Sequence, residues 1–402
     1  MAAALDDLLS AEAVRRRARL MLDAALAGKL NAFGVELARL PATAAFVADV
    51  IRRNYPSLAV PPHARWRHFV SGGEDRWQAI ARSLKVDKQE MARIRFDLAV
   101  TSVLLDAGAG PDWRWRDPRT GETIARSEGL ALASLAAFES GLFSTDPGRP
   151  LRADAMKLRR ISAEEIGRAF QASQANPLVG LEGRVEILRR LGAAVLEHPA
   201  IFATAGRVGG LADTLAAGGT VSAPAILKAL LVGLGGIWIN GLTVDGVRLG
   251  DTWRHEAIDV AGSTRGLVPF HKLSQWLAYS LIEPLEEAGI VVTDLDGLTG
   301  LAEYRNGGLF IDMGVIVPRE PSLLARTLAP GEAAIVEWRA LTVALLDEIA
   351  PLVRNELGKS RSELPLAAIL EGGTWAAGRK IARSKRADGG PPIAVASDGT
   401  IF

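Results

Sequence analysis

The sequence predicts a mainly α-helical, globular multi-helix fold with a small β portion, and three observations carry that expectation. Apolar residues make up 49% of the chain and recur along most of it at helical spacing. Helix-start signals recur as well, among them Ser162 three residues before Glu165 and Pro224 ahead of an apolar run. Short β-branched runs broken by glycine, by contrast, are confined to residues 237–249 and 290–317.

In chain order, residues 5–30 are predicted to form an amphipathic helix, with Gly28 as C-cap and Arg15, Arg16, Arg17 and Arg19 as its wet face. Residues 42–54 repeat the pattern. Tyr55-Pro56 and Pro61-Pro62 then force an extended connection, because proline fixes its own φ and drives the preceding residue out of the α region. That connection delivers the segment His63-Ala64-Arg65-Trp66-Arg67-His68-Phe69. Residues 78–105 read as helix, and 106–122, rich in Gly, Pro and Asp, as a long ordered loop around Trp113-Arg114-Trp115-Arg116. Ser162 with Glu165 opens a further helix, residues 181–196 form another, and Pro224 starts a third. Pro269 is read as the first turn of a helix in which His271 meets Gln275 on one face, while Lys272, Trp276 and Tyr279 share another. Helix returns at 331–357, before a basic stretch, Arg379 to Arg386, and a polar Gly-Pro tail. No repeat or linker marks a boundary. The expectation is one integrated unit, 1–402, or two helical lobes, about 1–220 and 221–402, with the ligand between them.

Composition narrows the function. Lys plus Arg total 47 and Asp plus Glu 46, so no global field favours a polyanion, and nucleic acid is not the expected partner. The chain has 0 cysteines, which removes disulfides and thiolate chemistry and points to a reducing compartment. Asp6 and Asp7 lie where a signal peptide would be cationic, and the greasy run 225–239 is interrupted by Lys228 and glycines and too short for a bilayer, so a cytoplasmic protein without a membrane partner is expected.

Four polar clusters fall in otherwise ordered segments: 63–69, 112–116, 251–255 and 294–312. Trp-Arg pairs at 66–67, 113–114, 115–116, 253–254 and 338–339 are platforms for anions or flat ligands, although a packed indole beside a solvated arginine explains any single pair as well. The histidines show no H-x-x-x-H or H-E-x-x-H spacing, so neither metal nor cofactor is expected. Lys272, Gln275, Trp276 and Tyr279 could line a pocket or simply pack. The richest stretch contains Asp294, Asp296, Glu303, Tyr304, Arg305 and Asp312, with glycines that would let a ligand approach. Its D-x-D-G-L-T string departs from the haloacid-dehalogenase motif because Leu298 separates the glycine from Thr299. It also lacks the adjacent acids and later glycine of a phosphoribosyltransferase loop.

Several strings together resemble one family. They are His63-Ala-Arg-Trp-Arg-His-Phe69, Leu104-Leu-Asp-Ala-Gly-Ala-Gly-Pro-Asp-Trp-Arg114, Arg126-Ser-Glu-Gly-Leu130, Gly250-Asp-Thr-Trp-Arg-His255, Pro269-Phe-His-Lys-Leu-Ser-Gln-Trp-Leu277, Glu303-Tyr-Arg-Asn-Gly-Gly-Leu309, Gly373-Thr-Trp-Ala-Ala-Gly-Arg379 and Ser397-Asp-Gly-Thr-Ile-Phe402. The family is the uncharacterised-domain family of fungi and bacteria that belongs to the alternative pathway of uracil catabolism, and the resemblance runs across essentially the whole chain. It implies action on ribosylurea or its phosphate, with cleavage to urea and ribose or ribose phosphate. A fainter likeness links Leu298-Thr-Gly-Leu-Ala-Glu-Tyr-Arg305 to the F-x-D-Y-R segment of queuosine-salvage nucleosidases, which are helical and distantly similar to DNA glycosylases; Glu303 stands where they have aspartate.

Breaking a bond between ribose C1 and a urea nitrogen builds positive charge on the sugar, so a carboxylate near C1 and a proton donor at the leaving nitrogen are needed. For that chemistry Glu303 is the expected carboxylate at C1, with Asp296 as its partner or as acceptor for the ribose diol and Tyr304 as a donor near the leaving group. Asp294 and Asp312 are held in reserve. Arg65, Arg67, His68, Arg254, His255 and Lys272 would supply cations for a substrate phosphate, with Trp66, Trp253, His271, Gln275, Trp276 and Arg305 as further substrate contacts. The alternatives are an amidohydrolase acting on a ring-opened pyrimidine, which needs a metal or an activated nucleophile, and a non-catalytic ligand-binding partner of the pathway. The expected partner is a small ribose-bearing compound, with room for a homo-oligomer.

Overall fold

A computed structural model describes residues 2–203 and 206–396. Of the strings above, Ser397-Asp-Gly-Thr-Ile-Phe402 lies outside the described residues. The fold is mainly α, and among the described residues every sheet is two-stranded. The strands fall where β-branched runs were expected, at Leu242–Val244, Val247–Gly250, Val291–Thr293 and Ile316–Pro318, with further short ones elsewhere. Among the described residues no helix is long and apolar enough to cross a membrane.

The chain forms two compact units. One comprises the residues up to His63, Leu242–Gln275 and Asp294–Ala396; the other comprises Ala64–Gly241 and Trp276–Thr293. In the first, the long helix Ala333–Leu357 packs against Ala11–Leu26 and Leu40–Asn54. Ser10 starts Ala11–Leu26 by accepting from the Ala13 N–H, and Val14, Ala18, Met21, Leu22 and Ala25 form its buried face. In the second, Lys88–Leu104 is buried on all sides from Ile94 onward and packs against Arg126–Glu139.

Several expectations are corrected. The single helix expected at 5–30 is broken between Asp7 and Ala11, where Ser10 caps a new start. Its arginines are not simply a wet face: Arg17 is buried and donates to Thr264 Oγ1 at 2.9 Å, and Arg15 pairs with Asp347 at 2.7 Å. Residues 78–105 divide into Arg76–Ser83 and Lys88–Leu104, because the Asp87 side chain caps a second N-terminus by accepting from Glu90 N–H. Pro269 does not open a helix. It ends the strand Leu267–Pro269, His271 takes a left-handed φ of 49°, and the helix runs Lys272–Glu287.

Candidate active site

In the first unit, Glu303 is the N-cap of Tyr304–Asp312, and its two oxygens accept from the N–H groups of Asn306 at 2.5 Å and Arg305 at 2.7 Å. The residue is only 8% exposed. Burial pushes its carboxyl above the usual range, while the two N–H groups and the charges of Lys272 and His63 oppose the rise. Glu303 is therefore a buried carboxyl whose ionisation is disfavoured by desolvation and favoured by two backbone N–H groups and the charges of Lys272 and His63.

His63 is held by a second carboxylate. Its Nδ1 lies 2.6 Å from Glu371 Oε2, its backbone N–H donates to Ala367 O, and its ring packs on Trp375 at 5.9 Å. With Nδ1–H donated to Glu371, the base in the neutral ring is Nε2. Glu371 comes from a π-helical turn, Ile369–Trp375, and such turns re-aim side chains. Gly372 and Gly373 permit it: a Cβ at Gly372 would lie 2.7 Å from Val60 Cγ1, and one at Gly373 2.8 Å from Val47 Cγ1.

Behind Lys272 sits a buried pair. Asp251 takes both terminal nitrogens of Arg339, at 2.8 and 2.7 Å, the Trp253 indole N–H at 2.8 Å and the Lys272 backbone N–H at 3.1 Å. Burial alone would push the Asp251 carboxyl up, but Arg339 and these donors outweigh it and hold it down to about 2. Gln275 holds the segment before Glu303, accepting from Thr299 N–H at 2.9 Å and donating to Thr299 Oγ1 at 2.6 Å.

The acid-rich stretch is not one cluster. Asp296 accepts from Arg354 at 2.9 Å, Arg361 at 2.7 Å and Leu366 N–H at 2.6 Å. Asp312 pairs with Arg386 at 2.8 and 2.5 Å, and Asp294 is exposed at a left-handed φ of 52°. Arg305 donates to Gly389 O at 2.8 Å and lies 4.8 Å over the Tyr304 ring. Nor do these glycines make room for a ligand: a Cβ at Gly300 would lie 2.4 Å from Leu346, one at Gly307 2.6 Å from Trp338 and one at Gly308 3.0 Å from Pro392. They serve close helix packing.

The remaining predicted contacts separate by unit. In the first, His255 accepts at Nδ1 from Ala257 N–H and lies 3.3 Å by Nε2 from Glu337, His271 Nε2 meets Leu8 O at 2.9 Å, and Arg254 is exposed. In the second, buried Arg65 donates to Ser102 Oγ at 2.7 Å and Asp106 at 2.6 Å, and lies 5.5 Å from the Trp276 ring centre. His68 packs edge-on to Trp276 at 5.6 Å, Arg67 binds Glu283 at 2.6 Å, and the Trp66 indole donates to Ser280 O at 2.7 Å. Among the described residues no three His, Asp or Glu side chains are grouped as ion ligands.

Sequence reasoning passed over Glu371, and placed His63 only within a polar cluster and Arg339 only within a Trp-Arg pair, giving neither a role. An acid followed by two glycines in an otherwise helical stretch was the available signal for Glu371.

The profile of the family described as "Protein of unknown function (DUF1688)" matches residues 7–402. The chain belongs to this family. Among its relatives, Protein urg3 of Schizosaccharomyces pombe is 39% identical over 404 residues, covering 98% of each chain. Uracil catabolism protein 4 of Lachancea kluyveri is 39% identical over 414 residues, covering 93% of each. The family assignment thus agrees with the resemblance carried by the quoted strings, and it spans both Glu303 and the His63–Glu371 pair.

Proposed function

We propose that this chain is an N-ribosyl hydrolase of uracil breakdown, cleaving ribosylurea or its 5-phosphate to urea and ribose or ribose phosphate. The name of the Lachancea relative puts that protein in uracil catabolism, and 39% identity over 93% of both chains supports the same pathway here. The observation that carries the chemical reading is the buried Glu303 carboxyl, raised by desolvation and faced by Lys272 and His63.

In the proposed reaction a water oxygen attacks C1 while the C1–N bond breaks, its electron pair going to the urea nitrogen, which takes up a proton. The sugar carries positive charge at the transition state, and ionised Glu303 stabilises that charge or accepts the water's proton. A carboxyl raised toward neutrality is the better base for that transfer. His63 in its imidazolium form, with Nδ1–H held by Glu371, gives its Nε2 proton to the leaving nitrogen and is left as the neutral ring, with Tyr304 as a further donor. Asp296, already bound by Arg354 and Arg361, has no step in this scheme.

The test is urea release from ribosylurea and, separately, from its 5-phosphate, by the wild-type chain and by Glu303→Gln. Release that falls about a hundredfold to ten-thousandfold in the variant supports the assignment and identifies the substrate. No release from either compound refutes it and shifts attention to hydrolysis of a ring-opened amide.

A further inference from the structure

The residues around Asp296, which the proposed reaction leaves unused, line an open cleft of about 430 Å³. That size is within the usual range of small-molecule sites, roughly 300–1,000 Å³. Its cationic wall is Arg354 and Arg361. Arg361 binds Asp296 through Nε alone, and Arg354 uses Nε on Leu364 O and one terminal nitrogen on Asp296. Among the described residues, both terminal nitrogens of Arg361 and one of Arg354 have no hydrogen-bond acceptor.

The same lining offers acceptors. Asp347 is held in place by Arg15, which also grips the carbonyls of Asp296 and Leu298. Pro351, inside the Ala333–Leu357 helix, brings no N–H to the Asp347 carbonyl four residues earlier. Ala350, Pro351 and Leu366 add apolar surface to the lining. Three arginines against two aspartates leave one net positive charge before any ligand enters.

Guanidinium donors, carboxylate and carbonyl acceptors and an apolar patch in one lining match a ligand that carries both a phosphate and hydroxyls. We propose that this cavity is a binding site for a small phosphorylated polyol of pentose-phosphate size, with its phosphate on Arg354 and Arg361 and its hydroxyls on Asp347. The site is separate from the Glu303 cluster and does not depend on the reaction assigned there. It adjoins the segment that carries Thr299 and Glu303, so its occupancy bears on how Asp296 is held.

The test is calorimetric titration of the full chain with ribose 5-phosphate, beside ribose and inorganic phosphate alone, using wild type, Arg361→Ala and Glu303→Gln. The Arg361 side chain is 69% exposed, so its removal leaves the core intact, and circular dichroism verifies the fold. Charge-assisted hydrogen bonds of the kind proposed predict ribose 5-phosphate binding that weakens about tenfold or more in Arg361→Ala and persists in Glu303→Gln, with ribose alone binding more weakly. Absence of binding to wild type, a loss in Arg361→Ala smaller than about tenfold, or a loss confined to Glu303→Gln overturns the assignment; the last outcome would move the ligand to the Glu303 cluster.

Discussion

Replacing Asp251 by alanine should strongly destabilise the unit that holds Glu303. Asp251 and Arg339 are 5% and 2% exposed, and the carboxylate receives four N–H bonds: two from Arg339, one from Trp253 and one from the Lys272 backbone. Removing it leaves a guanidinium buried against Phe270 without its counter-charge. Breaking such a pair from one side costs about 3–5 kcal/mol, a large share of a typical total of about 5–15 kcal/mol. Urea unfolding followed by circular dichroism should show a lower midpoint at unchanged slope. In Asp251→Ala/Arg339→Met the stranded charge is gone and only the Trp253 and Lys272 N–H groups lose an acceptor, at about 1 kcal/mol each. The double variant should therefore recover about half of the loss. A single-variant cost below about 1 kcal/mol, or a double variant no better than the single, would refute the argument that the buried guanidinium sets the cost.

Four further outcomes are expected. Because the Asp251 carboxyl is held down to about 2, its contribution is present above the ordinary aspartate value of about 3.9 and is lost as pH falls between the two, so acid unfolding of Asp251→Asn should lack that part of the wild-type slope. Glu303 is shifted the other way: an activity that needs it ionised should fall with decreasing pH at a point above the usual glutamate value of about 4.3, and Lys272→Met, by removing a nearby positive charge, should move that limb higher still in a kcat/KM profile. Gly378→Ala should destabilise by about 1–3 kcal/mol in the same urea assay, because its Cβ would stand 2.1 Å from Arg305 O on a packed backbone. Asp97→Ala should destabilise the second unit by about 1–3 kcal/mol, since it removes the acceptor of Gly209 N–H and one of the two carboxylates of buried Arg207, which keeps Glu90 at 2.7 Å.

What the sequence determined by itself was whatever depends on neighbours a few positions away. The capping box at Ser162 and Glu165 is present, the Pro224 start corresponds to the helix Ala223–Gly233, and the β-branched runs gave short strands. The misplacements were local signals overruled by competing ones. Asp87 splits a continuous helical pattern by offering a second cap, and left-handed His271 moves the helix start past Pro269.

The candidate site was legible at Glu303, where a string and an acid-rich context coincide, and at Lys272, named as a substrate cation. Its electrostatics come from partners that no spacing rule links: His63 meets Glu371 across 308 positions, Asp251 meets Arg339 across 88, and Asp296 meets Arg354 across 58. Charged residues that look alike in sequence become different chemically once folding decides which are desolvated and which are neutralised. Asp312 and Asp296 are bound to arginines, whereas Glu303 is buried with only N–H groups and more distant charges to oppose its protonation. Desolvation and long-range pairing are properties of packed elements rather than of local pattern, so only the tertiary structure could separate a desolvated carboxyl from two that are locked in ion pairs.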